Sequence, residues 1–231
     1  MKQLVSTDWL EKNIDKVKIL DASWHLPNTE RIGEKEYEIN HIKNSIFFDI
    51  DKYSDQNSPL PHMLPSRNDW ENIISSLGIK NSDQVVVYDN SEVFSACRVW
   101  YSFIYFGHNP NLVSVLDGNF NKWLGEKKPT SKEILKIVYS KYKATEDTSL
   151  VINKDQVNQN IKKKNFLLID ARGEKRFLGL QPEPREGMRS GHIKGSINLP
   201  FQLLINNDRT FKKKDELTSI FKKKEISIHK D

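Results

Sequence analysis

The sequence contains SGHIKGSINLP at residues 190–200, which partly repeats NHIKNSIFFD at residues 40–49. Each copy follows a short apolar run that ends in an acid, Asp21 in the first copy and Asp170 in the second. The acid precedes the histidine of its copy by 20 residues in one case and by 22 in the other. A repeat on this scale indicates that the chain contains two copies of one structural unit.

Apolar strands alternate with amphipathic helices through both copies. The first copy is predicted to have helices at 6–14, 66–77, 95–106 and 120–124 and strands at 18–22, 46–48, 84–88 and 112–116. The second is predicted to have helices at 153–163 and 214–221 and strands at 166–170 and 225–228. Strands separated by helices favour a mostly parallel sheet with helices on both faces. The predicted fold class is therefore α/β, with both units of this kind.

The predicted domains are residues 1–129 and 149–231, joined by a linker at 130–148, where charge density rises and the apolar pattern weakens. No apolar stretch approaches the ~18 residues that would cross a membrane, and the N-terminus lacks the apolar core of a signal peptide. We expect a cytoplasmic protein without a membrane partner. A single cysteine, Cys97, excludes an internal disulfide and a multi-cysteine metal site, so no metal is expected.

Lysine runs at 162–164, 212–214 and 222–224 contribute to the net charge of +5. One interpretation is a nucleic-acid surface. The runs border predicted helices and lack interleaved aromatic residues, which favours solvated faces and helix C-terminal charges instead. We expect no nucleic-acid partner.

Several short motifs together resemble the tandem rhodanese family, which includes thiosulfate and 3-mercaptopyruvate sulfurtransferases. They extend from near the start of the chain to its last predicted strand. The motifs are HMLPS at 62–66, VVVYD at 85–89, SACRVW at 95–100, FGH at 106–108, VLDG at 115–118, DAR at 170–172, RFLG at 176–179, PEPR at 182–185 and GHIKG at 191–195. The resemblance implies tandem rhodanese-like domains that need no cofactor. Their activity is sulfane sulfur transfer from a 2-oxo-3-thiol acid or thiosulfate to a thiol or cyanide.

The family's nucleophilic cysteine lies on a loop after the fourth strand of the second unit. In this sequence that loop would start just after Ile228, where His229, Lys230 and Asp231 stand. We therefore expect a second domain with only its N-terminal part and an isolated chain that is inactive, because persulfide chemistry needs a thiol. Two alternatives stay open: a piece of a split enzyme completed by another chain, and a non-catalytic rhodanese-like binding or scaffold module.

The resemblance assigns roles to four residues. Asp51 and His62 match a supporting pair, in which histidine activates a hydroxyl or relays a proton and the acid orients it; the alternative for His62 is a turn cap. Arg176 and Arg185 match the pair that binds the substrate carboxylate, and Arg185 favours 3-mercaptopyruvate over thiosulfate. The alternative is that both are exposed loop arginines. Cys97 lies inside a predicted helix among apolar residues, which is more typical of an inert core thiol than of a nucleophile.

Overall fold

The computed structural model describes residues 2–185 and 187–227. The chain divides into two compact units, Met1–Leu150 and Val151–Asp231. The predicted α/β class is confirmed in both.

The first unit contains a five-stranded parallel sheet in the order β1-β6-β5-β2-β4. A separate antiparallel ribbon pairs β3 with β7. The strands of this unit are β1 Leu4–Val5, β2 Lys18–Asp21, β3 His41–Ile42, β4 Ser45–Phe47, β5 Val85–Tyr88, β6 Val113–Leu116 and β7 Thr130–Ser131.

Five helices of this unit are α1 Thr7–Asn13, α2 Gly33–Ile39, α3 Arg67–Ser76, α4 Ala96–Tyr105 and α5 Asn119–Gly125. Two of the predicted helix starts are confirmed by their caps: the Ser6 hydroxyl accepts from the Trp9 N–H, and the Ser66 hydroxyl from the Asp69 N–H. The short helix α2 was not predicted. It begins at a glycine and has no side-chain cap, so the usual start signal is absent.

Apolar cores lie on both faces of the sheet. Along β5, Val85 and Val87 belong to a cluster with α3 and α4, whereas Val86 and Tyr88 belong to a second cluster with α1 and α5. All four side chains are fully buried. This explains why the strand is a continuous β-branched and aromatic run rather than an alternating one.

The segment predicted as a linker, 130–148, packs along the first unit. Ser140, Tyr142 and Ala144 are buried, while the lysines between them are exposed. The Tyr142 N–H donates to the Ser75 hydroxyl at 3.0 Å, and the Ala144 N–H donates to a Glu71 carboxylate oxygen at 2.9 Å. The boundary between the units falls after Leu150 instead, and the buried residues 140, 142 and 144 join this segment to the first unit.

The second unit has a parallel pair of strands, β8 Ile169–Asp170 and β9 Ile197–Asn198, and helices α6 Lys154–Lys163, α7 Glu174–Phe177 and α8 Lys214–Lys223. Two of the lysine runs end α6 and α8, while the run at 212–214 lies at the start of α8. The strand predicted at 225–228 is absent from residues 225–227, and Ile228 lies outside the described residues. No helix of the described residues is long and apolar enough to cross a membrane.

Candidate active-site residues

The structure brings the predicted pair Asp51 and His62 together in the first unit. The Nε2 atom of His62 lies 2.6 Å from Oδ1 of Asp51. The Trp24 indole N–H donates to the other carboxylate oxygen, Oδ2, at 2.9 Å. Two-thirds of the Asp51 side chain is exposed, whereas only a fifth of the His62 side chain is. His62 therefore pairs with the acid, as the proton-transfer interpretation requires.

The backbone at His62 is held in the left-handed region, with φ of +58°. A residue with a side chain pays about 1 kcal/mol or more for that conformation, so surrounding contacts must stabilise it. The guanidinium of Arg98, on α4, donates to the carbonyl oxygen of His62. Burial lowers the pKa of Arg98. Helix α4, which packs on the sheet, therefore holds the backbone of His62 in place through Arg98.

The loop after β5 lies at the carboxyl end of the sheet, where α/β proteins bind ligands. Its first residue, Asp89, is buried. Asp89 Oδ2 accepts from the Ala96 N–H at the start of α4 at 2.7 Å, and Oδ1 accepts from the Ser91 N–H at 3.2 Å. A helix N-terminus attracts anions. In this unit, a carboxylate of the chain itself occupies that position.

Cys97 is the second residue of α4 and packs against the core cluster on that face of the sheet. Burial first, and the nearby Asp89 carboxylate second, raise the pKa of the Cys97 thiol to about 12. At pH 7 only about one thiol in 10⁵ is then the reactive thiolate. The environment of Cys97 is the opposite of one that activates a nucleophile.

In the second unit, Arg176 lies on α7 and forms an ion pair with Glu183, whose side chain is only 3% exposed. Glu183 accepts from Nε of Arg176 at 3.2 Å and from Nη1 of Arg172 at 2.8 Å. Arg172 also donates to both carboxylate oxygens of Asp170, the last residue of β8. Arg176 holds the pKa of Glu183 below its usual value, and Arg172 does the same for Asp170.

Arg185 lies two residues after Glu183, in the loop between α7 and β9, and is half-buried. The exposed-loop alternative therefore does not describe either arginine fully, since the side chain of Arg176 is 27% exposed. Glu183 and Arg172 lie in the quoted motifs, but no role was predicted for either of them.

The internal repeat contains a sequence signal for the ion pair between Arg176 and Glu183. Residues 33–37 read GEKEY and residues 173–177 read GEKRF, so Glu36 and Arg176 are equivalent positions. The structure makes α2 and α7 from these two stretches. In the first unit, Nε and Nη2 of Arg31 each donate to Glu36 at 2.7 Å. Both units thus build an arginine–carboxylate pair here, with the charge on the helix reversed.

No group of three or more His, Cys, Asp or Glu side chains among residues 2–185 and 187–227 could hold a metal ion. The chemistry available at these positions is that of the side chains named above: an exposed acid–imidazole pair and a buried carboxylate between two guanidinium groups.

The rhodanese-like domain model matches residues 6–126 and 153–231. The chain belongs to the rhodanese family. The two matched segments correspond to the two units of the structure and leave out the stretch around their boundary.

Rhodanese relatives match over almost the whole chain. The 3-mercaptopyruvate sulfurtransferase of Mus musculus is 38% identical, over 99% of this chain and 79% of its own length. The thiosulfate sulfurtransferase of Rattus norvegicus is 41% identical, over 98% of this chain and 78% of its own length. The solved structure of SseA from Escherichia coli, one of the 3-mercaptopyruvate sulfotransferases, has a TM-score of 0.88 at 31% identity. It covers 98% of this chain and 85% of SseA. An Arabidopsis thaliana relative is a mitochondrial thiosulfate/3-mercaptopyruvate sulfurtransferase.

Proposed function

We propose that this rhodanese is a sulfurtransferase of the 3-mercaptopyruvate and thiosulfate type. It binds an anionic sulfur donor, a 2-oxo-3-thiol acid or thiosulfate, and the sulfane sulfur passes through a cysteine persulfide to a thiol or cyanide acceptor. The observation that carries the proposal is the oriented guanidinium of Arg176, in a family whose relatives include both enzymes. The cytoplasm stays the predicted compartment.

Arg176 is suited to an anionic donor because Glu183 fixes its orientation. A guanidinium has five N–H donors in a rigid plane, so a bond on one edge also sets the direction of the others. Glu183 occupies the Nε edge of Arg176, and part of the arginine side chain remains exposed. Arg185, in the loop that also carries Glu183, supplies a second guanidinium. Two guanidinium groups suit the carboxylate of a 2-oxo acid, so we assign 3-mercaptopyruvate as the preferred donor.

The Asp51–His62 pair supplies the proton transfer. Since an ionised carboxylate only accepts hydrogen bonds, the proton of the 2.6 Å contact belongs to Nε2 of His62. The other ring nitrogen, Nδ1, is then the basic one in neutral imidazole.

Cys97 does not serve as the persulfide carrier in this proposal, because a thiol with a pKa of about 12 gives almost no thiolate at neutral pH. It is the only cysteine among the 231 residues. We therefore expect these 231 residues by themselves to bind the donor without turning it over.

A second candidate is a non-catalytic rhodanese-like binding or scaffold module. The observation that favours it is the buried Asp89, which occupies the start of α4 in the first unit. A helix N-terminus already bound to a carboxylate does not stabilise a persulfide anion there.

Donor binding tests the proposal directly. Isothermal calorimetry on the 231-residue chain is expected to show binding of pyruvate, an unreactive 2-oxo acid, and of thiosulfate. Arg176→Ala is expected to weaken both by about tenfold or more, the loss of a charge-assisted pair. Arg185→Ala is expected to weaken the binding of pyruvate but not that of thiosulfate. Arg189→Ala, an exposed arginine of the same loop, is the matched control and changes neither. Equal affinities in all four proteins would contradict the proposed site.

A turnover assay separates the nucleophile from the binding site. The chain is given 3-mercaptopyruvate or thiosulfate together with a thiol or cyanide, and we expect no product. Turnover that survives Cys97→Ser but falls with Arg185→Ala would show that the 231 residues are active without Cys97. Turnover that Cys97→Ser abolishes would make Cys97 the persulfide carrier.

A further inference from the structure

Trp24 lies beside the Asp51–His62 pair and contacts both members of it. Its indole N–H donates to Oδ2 of Asp51 at 2.9 Å. Its ring meets the His62 ring edge-on, with the ring centroids 4.7 Å apart and the planes at 90°. One side chain therefore touches the acid through a hydrogen bond and the base through a ring contact.

We propose that Trp24 is a positioning residue that sets the proton-bearing nitrogen of His62 by fixing the carboxylate of Asp51. The inference rests on the proposed role of His62 in proton transfer. Trp24 does not take part in the chemistry itself; it acts through Asp51.

The need for such a residue follows from the exposure of Asp51. Its side chain is 67% exposed, and rotation about the last bond of an aspartate is soft, so without a further contact the two carboxylate oxygens could exchange places. An exposed acid–base pair on its own holds its two side chains only weakly in one geometry. A donor on Oδ2 removes that rotation, which leaves Oδ1 directed at Nε2 of His62.

The ring contact restricts the second partner. An edge-on arrangement at this centroid distance is a favoured geometry for two aromatic rings. It limits the plane of the imidazole, while the guanidinium of Arg98 holds the carbonyl oxygen of His62. The histidine is thus fixed at its backbone by Arg98 and at its ring by Trp24.

The backbone of Trp24 is itself held by the loop after β5. The Trp24 N–H donates to the hydroxyl of Ser95 at 3.2 Å, and the Ser91 hydroxyl donates to the Trp24 carbonyl oxygen. Both serines are buried. In the first unit, where Cys97 is not placed to act as a nucleophile, this loop therefore supports the tryptophan that orients Asp51.

The test measures the tautomer of His62 by long-range ¹H–¹⁵N NMR on the 231-residue chain labelled at histidine. The His62 signals are assigned by their loss in His62→Gln. In the native chain the Nε2–H form is expected to dominate. Trp24→Phe keeps an aromatic ring but removes the donor, and the ratio of Nε2–H to Nδ1–H is expected to fall several-fold, towards that of Asp51→Asn.

Trp100→Phe is the matched control, because the Trp100 indole N–H donates to the Val113 carbonyl oxygen at 3.3 Å and not to Asp51. It is expected to keep the native ratio. If Trp24→Phe loses its folded amide spectrum, 3-benzothienylalanine at position 24 decides the question, since it keeps the bicyclic shape without the N–H.

A native ratio in the folded position-24 variant overturns the proposal, whatever Asp51→Asn shows. A fall of equal size in Trp100→Phe also overturns it, since the effect would then be general loosening. The readout does not depend on turnover, so failure of the proposed sulfur transfer and failure of this positioning role give different results.

Discussion

In the first unit, Asp21 ends a strand that is buried between two helical layers, whereas Asp170 ends the equivalent strand of the second unit beside Arg172. Both carboxylates accept from the N–H two residues further on, at 2.9 Å and 3.0 Å. Their electrostatic surroundings are opposite. Burial raises the pKa of Asp21 to about 6, while the Arg172 guanidinium lowers the pKa of Asp170. The repeat thus preserves a backbone turn, while burial in the first copy and Arg172 in the second shift the pKa values of the two carboxyl groups in opposite directions.

The histidines of the repeat also share a local arrangement but differ in their surroundings. His41 stacks on Tyr37 and His192 stacks on Phe177, with ring centroids 4.0 and 3.8 Å apart. In each case Nδ1 lies within hydrogen-bond distance of the carbonyl oxygen of the stacked residue. His41 is fully buried, and His192 is exposed. One local motif therefore forms part of a core in the first unit and part of a surface in the second.

The largest expected difference between the units is in their resistance to proteolysis. In the part of the second unit that the structure describes, Leu199 and Ile226 are the buried apolar side chains, whereas the first unit has two core clusters. Large apolar side chains of the second unit are exposed at positions 151, 152, 167, 169, 178, 180, 188, 193 and 203. Such a unit opens more readily.

We therefore expect a non-specific protease to cut residues 151–227 about a hundredfold faster than residues 2–150 under native conditions. Mass spectrometry of the first fragments over time measures the difference. A second unit that stays as resistant as the first, with no partner chain added, would contradict this expectation.

The helices and strands that the sequence predicted are those with strong local signals. Helix α3 has a serine cap and a glycine stop, and β5 is an apolar run too short for a helix. Helices α2 and α7 were missed because each starts at or just after a glycine without a side-chain cap. Comparing the GEKEY and GEKRF stretches would have found both.

The 130–148 segment and the site contacts were harder to predict for a physical reason. The alternation of Ser140, Tyr142 and Ala144 with lysines covers only five residues, which is too short to separate from charged coil. Asp51 and His62 could be paired through the family resemblance. The contacts of Trp24 with them could not, because they join residues distant in sequence.

Tyr142 tests whether the 130–148 segment stabilises the first unit. Its side chain is 5% exposed, belongs to the core cluster and has its hydroxyl 3.3 Å from Nδ1 of His108. Tyr142→Ala is expected to lower the free energy of unfolding by about 3 kcal/mol, as for other large buried side chains. Tyr139→Ala, at a side chain 65% exposed, is the control and is expected to stay within about 0.5 kcal/mol of native. Chemical denaturation followed by Trp fluorescence measures both. Equal losses would mean that the segment is not a specific part of the core.

The two aspartates should respond to pH in opposite directions. Because the folded-state pKa of Asp21 is raised from 3.8 to about 6, its contribution to stability is present below about pH 4 and is lost as the pH rises towards 6. The loss amounts to about 3 kcal/mol. The pKa of Asp170 is lowered, so its contribution is present above about pH 4 and is lost in acid.

Carbon-detected NMR of the two carboxyl groups measures these titrations, with Asp21→Asn and Asp170→Asn to assign the signals. Denaturation of Asp21→Asn should also show a flatter stability profile between about pH 4 and pH 6 than the native chain. Titration of both carboxyl groups near the ordinary value would show that burial and Arg172 do not separate the two copies of the repeat.

The smallest effects are expected at the histidines, where the comparison is closest. His41 is fully buried, with Nδ1 2.6 Å from the Tyr37 carbonyl oxygen and Nε2 3.2 Å from that of Glu133. His41→Ala leaves a cavity and unpaired carbonyl groups and is expected to cost about 2 kcal/mol. His192→Ala, at an exposed position, is expected to cost about 0.5 kcal/mol. Phenylalanine at each position keeps the ring for stacking but removes the hydrogen bonds, so its recovery of stability measures what the ring contributes by packing. That recovery should be larger at His41, where the ring also fills a buried cavity, and the remaining deficit should be larger there as well, because the lost hydrogen bonds lie in the core.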